Sequence, residues 1–473
     1  MKRKVLLCAG AVFFLVLLAV AAYGMFDWRF RAHPPVANYS EPETVAEARQ
    51  QDLDYLLNLP QTDYSFSEEE EAQFRGFVRS LQGRVGDMSD AEFAMSVAQA
   101  AAITKNGHTN LYRKDLFDTL NSLPVRFFWF GDGLHVIRAH ENLEELIGAR
   151  VVSYEGLPPD ELVARLAPYV GGNKDYLSFY SPYFFASSQA MHIAGLATSP
   201  DQVSVTLRFA GGEERDVVLQ PERNATAMMW QDEVPLPILA KQETKSENRW
   251  RFPDKGLVTK GFYAKNPKEY HWTEDLPAGG FYVRLRLIQN QDSRQLKDWL
   301  TDLKEQLSKD PVEYLVLDVR SAPGGDYTKA RDFARDVLEL VVPGGKVYLL
   351  TDAGTFSAAI VTQAFALHAA GERGVVVGTP VGDDEQFWAE SSGALELPNS
   401  GLRISVSTGY HDWENGCTDW KRCFWLNIFL GVAAGSLEPD IVAPLTYTDY
   451  AQGIDTTLQA VFEAEGITAV TNR

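Results

Sequence analysis

Thr355-Phe356-Ser357-Ala358-Ala359 joins an apolar run, Val347 to Leu350, to a run of helical spacing from Ala358 to Ala370. A serine at a strand-to-helix turn has two physical assets. Its hydroxyl projects from the end of a sheet, and the first backbone N–H groups of the following helix have no intrahelical partner. Those donors, with the positive end of the helix dipole, suit a developing oxyanion beside a serine nucleophile. A serine there also serves as an ordinary N-cap, so the surrounding sequence has to decide.

Around this junction, from Gly279 onward, strand and helix patterns alternate. Phe281 to Ile288, Tyr314 to Val319, Val347 to Leu350 and Gly374 to Val377 read as strands. Leu296, Leu300, Leu303 and Leu307 mark one amphipathic helix, and Ala330, Phe333, Ala334, Val337 and Leu338 a second. This alternation predicts an α/β core, residues 279–473, with a mainly parallel sheet covered by helices. In such sheets ligands sit at the carboxyl ends of the strands. Ser321-Ala322-Pro323-Gly324-Gly325 and the Ser357 turn both fall just beyond strand C-termini. Adjacent glycines let backbone N–H groups approach a ligand closely. Gly324, Gly325 and Ala358 therefore form a candidate oxyanion hole.

The rest of the chain divides by texture. Of 473 residues, 45% are hydrophobic and 23% charged, as in ordinary globular proteins, and the net charge of −20 argues against a nucleic-acid partner. Lys2-Arg3-Lys4 precedes an apolar run from Val5 to about Phe26, longer than the roughly 7–15 residues of a signal-peptide core and close to the roughly 20 that span a bilayer. We expect a signal anchor over residues 1–30, although Ala19-Val20-Ala21 also offers a cleavage site, and the basic flank keeps the N-terminus cytoplasmic. Residues 31–43, with Pro34-Pro35, read as a tether. Residues 44–122 form a helical region with stripes such as Phe74, Phe77, Val78 and Leu81, and with Ser89 and Glu92 spaced as a capping box. Residues 123–220 are β-rich, with strands expected over Val125–Phe130, His135–Ala139, Ala149–Tyr154 and Val203–Phe209 and an aromatic insertion, Tyr176 to Phe185. Residues 221–278 read as a linker or long loop. Cys417 and Cys423 suit a disulfide in an exported protein, and no ligand cluster points to a metal or organic cofactor.

Taken together, these stretches resemble the tail-specific (C-terminal processing) and tricorn-core serine peptidase family. Tyr314 to Gly325 resembles its strand and glycine turn, Thr355 to Ala359 its nucleophile motif, and Val375 to Gly382 the strand and loop that follow. Leu437-Glu438-Pro439-Asp440-Ile441 resembles its closing Pro-Asp motif. The resemblance covers about residues 45–445. It implies a ClpP/crotonase-like core and a PDZ-like module around Leu146 to Gly156, which would capture peptide as an added strand. It also implies a protein or peptide substrate. The N-terminal segment, retained or cleaved, puts everything after residue 30 outside the cytoplasm, at a bacterial inner membrane or periplasm.

The resemblance also bears on the activating base. One branch of the family uses a lysine in the loop after the strand that follows the nucleophile helix, but Gly382-Asp383-Asp384-Glu385-Gln386 holds none. The tricorn-like branch uses a histidine at the end of the helical region, where this chain has Asn106-Gly107-His108-Thr109. A neutral imidazole suits proton removal from serine. The glutamate expected before the closing motif is missing from Val432-Ala433-Ala434-Gly435, which leaves Glu414, Glu438 or Asp412 from a shifted position, with Glu414 as the candidate, or a polar group in place of an acid, to orient His108. The expected activity is a membrane-tethered serine endopeptidase. A non-catalytic peptide- or ligand-binding protein on the same fold is the rival, and a crotonase-type acyl enzyme a third reading.

Overall fold

The computed structural model describes residues 2–222, 250–251, 253, 261–262, 265–266, 268–390 and 393–467, with side chains from residue 13 onward apart from residue 15. The N-terminal apolar stretch is a helix, Lys2–Phe30, whose last turn docks through Phe26 and Phe30 on Phe424. Phe13, Phe14, Leu17 and Leu18 of this helix are exposed. Among the described residues no helix is long and apolar enough to cross a membrane. The side chains at 2–12, which carry the basic flank of the expected anchor, lie outside the described residues.

The helical region contains Val45–Leu56, Glu68–Leu81 and Asp90–Ala102. Both halves of the Ser89/Glu92 capping box form, which satisfies helix donors that would otherwise be orphaned. Next comes an antiparallel sheet of β1 (Val125–Phe130), β2 (Gly133–His140), β3 (Arg150–Tyr154), β4 (Val203–Arg208) and β5 (Glu214–Leu219), with β6 (Trp250–Arg251) paired to β2. The aromatic insertion is a helix, Lys174–Phe185, capped by Asn173. It is tied to β1 by a hydrogen bond from Trp129 Nε1 to Ser181 Oγ of 2.8 Å.

Of the expected linker, residues 223–249 lie outside the described residues. Its end is not a loop. His271–Leu276 is a strand, β7, paired antiparallel to β8 (Gly280–Leu285). Ala278 and Gly279 make the tight hairpin turn at φ +54° and +77°, the conformation such turns demand. Thr273, Glu274 and Asp275 hid this strand because an edge strand keeps one side in water.

The remaining strands of the core are β9 (Val312–Asp318), β10 (Val341–Thr351) and β11 (Gly374–Gly378). Two small antiparallel pairs follow, β12 (Gln386–Ala389) with β15 (Gly409–Asp412) and β13 (Ala394–Glu396) with β14 (Arg403–Ser405). The core sheet closes with β16 (Ile441–Val442), in the order β16-β11-β10-β9-β8-β7. All neighbours except β7 and β8 are parallel. Successive side chains point to opposite faces, and both faces are covered. Val283, Leu315, Leu317 and Leu349 pack with helices Leu296–Lys309 and Ala358–Ala370. Tyr282, Tyr314, Tyr348 and Leu350 pack with the C-terminal helix Thr456–Ala464. Two covered faces explain why these strands read as unbroken apolar runs. Cys417 and Cys423 form the expected disulfide.

A buried cluster of charges lies inside the carboxyl edge of this sheet. Asp318 is fully buried and accepts from Tyr282 Oη, Arg284 Nη1 and Arg320 Nη2, each at 2.6 Å. Arg320 also makes a two-pronged pair with Asp455, 2.8 Å at each prong. Burial would raise the Asp318 carboxyl, but Arg284 and Arg320 outweigh it and hold the group well below the usual carboxylate range. A carboxyl depressed on folding stabilises the protein above its unfolded value of about 3.9, and that contribution is lost as pH falls through the native value. Asp318→Asn should lower stability at pH 7 by about 3–5 kcal/mol, because it leaves buried guanidinium charge under-compensated. Urea unfolding should show this deficit shrinking below about pH 4.

Candidate active site

Two turns build the site. After β9 the chain passes through Val319 to Gly325, and after β10 through Asp352 to Ser357. Asp352 accepts from the backbone N–H of Ser321 (2.6 Å), the Ser321 hydroxyl (2.7 Å) and the N–H of Gly354 (2.9 Å). The buried Thr355 hydroxyl donates to Val319 O (3.0 Å), and Phe356 N–H donates to Ala322 O (2.9 Å). The two turns are thus one clasped unit.

Ser357 stands at its apex with φ +56° and ψ −127°, a region a non-glycine residue enters only under constraint. It precedes helix Ala358–Ala370 but makes no side-chain cap bond. The ordinary N-cap role is therefore vacant and the hydroxyl is free for other work. Gly324, at φ +114°, lies so close that a Cβ there would meet Ser357 Cβ at 2.7 Å and Ala358 N at 3.0 Å. The glycine turn and the helix N-terminus are therefore in contact around Ser357. A Cβ on Gly325 would strike Ile288 O at 2.3 Å, so both glycines are sterically required.

His108 reaches the same place from the helical region. Its turn is held by Asn106, which donates to Thr109 (3.0 Å) and Ser407 (2.9 Å), and by Thr109, which donates to buried Asp63 (2.6 Å). The His108 ring stacks on Phe356, the residue before Ser357, with centroids 4.3 Å apart. Asp383 Oδ2 lies 3.4 Å from His108 Nδ1, a contact not aligned as a hydrogen bond. No hydrogen bond joins Ser357 to His108.

Asp383 belongs to the loop after β11, Gly382 to Gln386, where the family resemblance points to a lysine and not to an acid. The cue was a carboxylate next to Gly382, whose own Cβ would meet Ala353 O at 2.4 Å. Glu414 is elsewhere: it is exposed and accepts from Gln386 Nε2 at 2.9 Å. Asp412 binds Asn415 N–H at 2.8 Å. Glu438 lines an acidic surface cavity with Asp175 and Asp384. Only an acid on the loop that the fold brings to His108 can contact it, and chain order conceals which loop that is.

Beside the clasped turns opens a cavity of about 310 Å³, walled by Trp129, Phe179, Tyr183 and Pro323 and floored by Arg320 and Asp352. Arg284, Arg320 and Asp352 are held by the bonds described above, Asp175 also lines the cavity, and its surface is mainly apolar.

No family model and no curated protein matches the chain. Solved structures do. Mature CPAF is similar with a TM-score of 0.53 at 14% identity, covering 89% of this chain and 97% of that one. Mature CPAF complexed with lactacystin is similar with a TM-score of 0.50 at 15% identity, covering 89% and 98%. The photosystem II D1 C-terminal processing protease aligns at 16% identity over 88% and 96%, but its TM-score of 0.38 carries no argument. The expected resemblance to tail-specific proteases therefore holds at the level of the fold.

Burial pushes the Asp383 carboxyl up, with His108 pulling it partly back. A carboxyl raised on folding costs the native state nothing below its unfolded value of about 3.9, and the cost develops as pH rises through the native value. Asp383→Asn should therefore be more resistant to urea than the parent at pH 7, with the advantage fading towards about pH 4.

Proposed function

We propose that this chain is a serine endopeptidase acting on proteins or peptides. The observation that carries this reading is Ser357, held at positive φ at a helix N-terminus with no capping bond. Ser357 Oγ attacks the peptide carbonyl, and His108 takes its proton and returns it to the leaving amine. Asp383, on the Nδ1 side of the ring, favours the tautomer whose Nε2 faces the serine and stabilises the imidazolium that forms. The N–H groups of Gly324 or Gly325 and Ala358 hold the tetrahedral oxyanion, which a helix N-terminus favours electrostatically. The aromatic cavity receives an apolar side chain of the substrate.

Three further readings belong to the proposal. The catalytic sheet is of the ClpP/crotonase kind. The β1–β5 sheet acts as a PDZ-like module that adds extended peptide to its edge. The N-terminal helix, exposed at Phe13, Phe14, Val16, Leu17, Leu18, Val20, Tyr23 and Met25, anchors the protein at a bacterial inner membrane with the catalytic part outside the cytoplasm. The unbonded state of Ser357 and His108 favours a second reading, a peptide-binding protein without turnover. Catalytic hydrogen bonds, however, often tighten only when substrate arrives.

A fluorophosphonate probe separates the two, since it reports an activated serine without a known substrate. The full chain should label, and Ser357→Ala and His108→Ala should not. Asp383→Asn should slow labelling by roughly 10³–10⁴, whereas Glu414→Gln should leave it unchanged. A folded parent that stays unlabelled while a control hydrolase reacts would assign the binding role.

A further inference from the structure

An imidazole that acts as a base must be held in one orientation, and in most serine hydrolases a hydrogen bond to an acid does this. Here the contact with Asp383 is long, at 3.4 Å, and among the described residues neither His108 ring nitrogen has an aligned hydrogen-bond partner. Ring packing is what surrounds the base. The His108 ring stacks with Phe356 at 4.3 Å and with Phe387 at 5.1 Å, with interplanar angles of 29° and 16°. The two stacked rings restrain the plane of the imidazole, whose Nδ1 edge lies towards Asp383.

Both clamps are themselves backed. Phe356 has Tyr176 stacked on its far side at 4.6 Å. Gly107 permits this, since a Cβ there would strike the Phe356 ring at 2.9 Å. Phe387 has His411 stacked behind it at 4.9 Å, its direct cross-strand partner in the β12–β15 ladder. His411 is buried, and its Nδ1 accepts from Asn427 Nδ2 (2.9 Å) and Trp413 Nε1 (3.2 Å). Phe424 follows at 5.8 Å and ends the column against Phe26 and Phe30 of the N-terminal helix.

We propose that stacking fixes the ring plane of His108, while Asp383 acts on its tautomer, and that Phe387 is the positioning residue that sets the imidazole at a fixed relation to Ser357. Phe356 ties the arrangement to the nucleophile, because the ring under the base belongs to the residue next to Ser357. Offset aromatic stacks hold ring planes with a specific geometry, and a base displaced by about 1 Å costs on the order of a hundredfold in rate. The inference rests on the serine peptidase reading for its kinetic consequence but not for its geometry.

The test uses Phe387→Leu, which keeps apolar volume and removes the flat face, and Phe387→Tyr, which restores it. Thermal unfolding of both should confirm the fold, and the rate of fluorophosphonate labelling is then compared with the parent. The leucine variant should slow by about a hundredfold, and the tyrosine variant should recover most of the rate. In parallel, the His108 Cε1 proton resonance, assigned by its loss in His108→Ala, should lie upfield in the parent and move downfield in the leucine variant as one ring current is lost. Equal labelling by the leucine variant and the parent, or a resonance that does not move, would overturn the proposal. A parent that never labels would count against the peptidase reading alone, and the resonance would still decide the stacking.

Discussion

The structure depends on the clasp between the turns after β9 and β10. A parallel sheet delivers successive strand ends to one edge, but it does not fix how the turns beyond them lie. Asp352 and Thr355 do that, by binding Ser321 and Val319 across the gap between the two strands. With the turns locked together, Ser321 and Ser357 can be held at φ +51° and +56°. Strain of this sort persists only where the surroundings over-determine it. The Asp318–Arg320–Asp455 group lies just below and anchors the first of these turns to the C-terminal helix.

Above the clasp, the candidate site is assembled from three separate parts of the chain. The helical region brings His108, the core brings Ser357 and the glycines, and the loop after β11 brings Asp383. Aromatic rings join them. The Lys174–Phe185 helix, inserted into the β-rich region, presses Tyr176 on Phe356 and Phe179 beside Gly354. An insertion that read as an interruption in the sequence therefore forms part of the wall of the cleft. A buried carboxyl such as Asp383 is a cost to the fold at neutral pH. Its retention beside an imidazole is what a functional site, rather than a stabilising pair, would produce.

The core was largely legible. Alternating strand and helix patterns from 279 onward, the amphipathic stripe at Leu296, Leu300, Leu303 and Leu307, and the Ser89/Glu92 capping box all encode local geometry directly. The edge strand β7 was not legible, because its half-solvated composition matches that of a loop. The acid near His108 was not legible either. The family pattern pointed to the region before the closing motif, whereas the fold carries the loop after β11, and with it Asp383, to the histidine.

Local sequence by itself determined the periodic elements, the covered parallel sheet, and the two turns that hold the glycines and Ser357. Those features arise from side-chain period and from conformations that only certain residues allow. Tertiary structure alone decided which acid meets His108, that Ser357 is strained and uncapped, and that Phe356 and Phe387 stack on His108. Those are contacts between segments up to hundreds of residues apart, and no local period carries information about them.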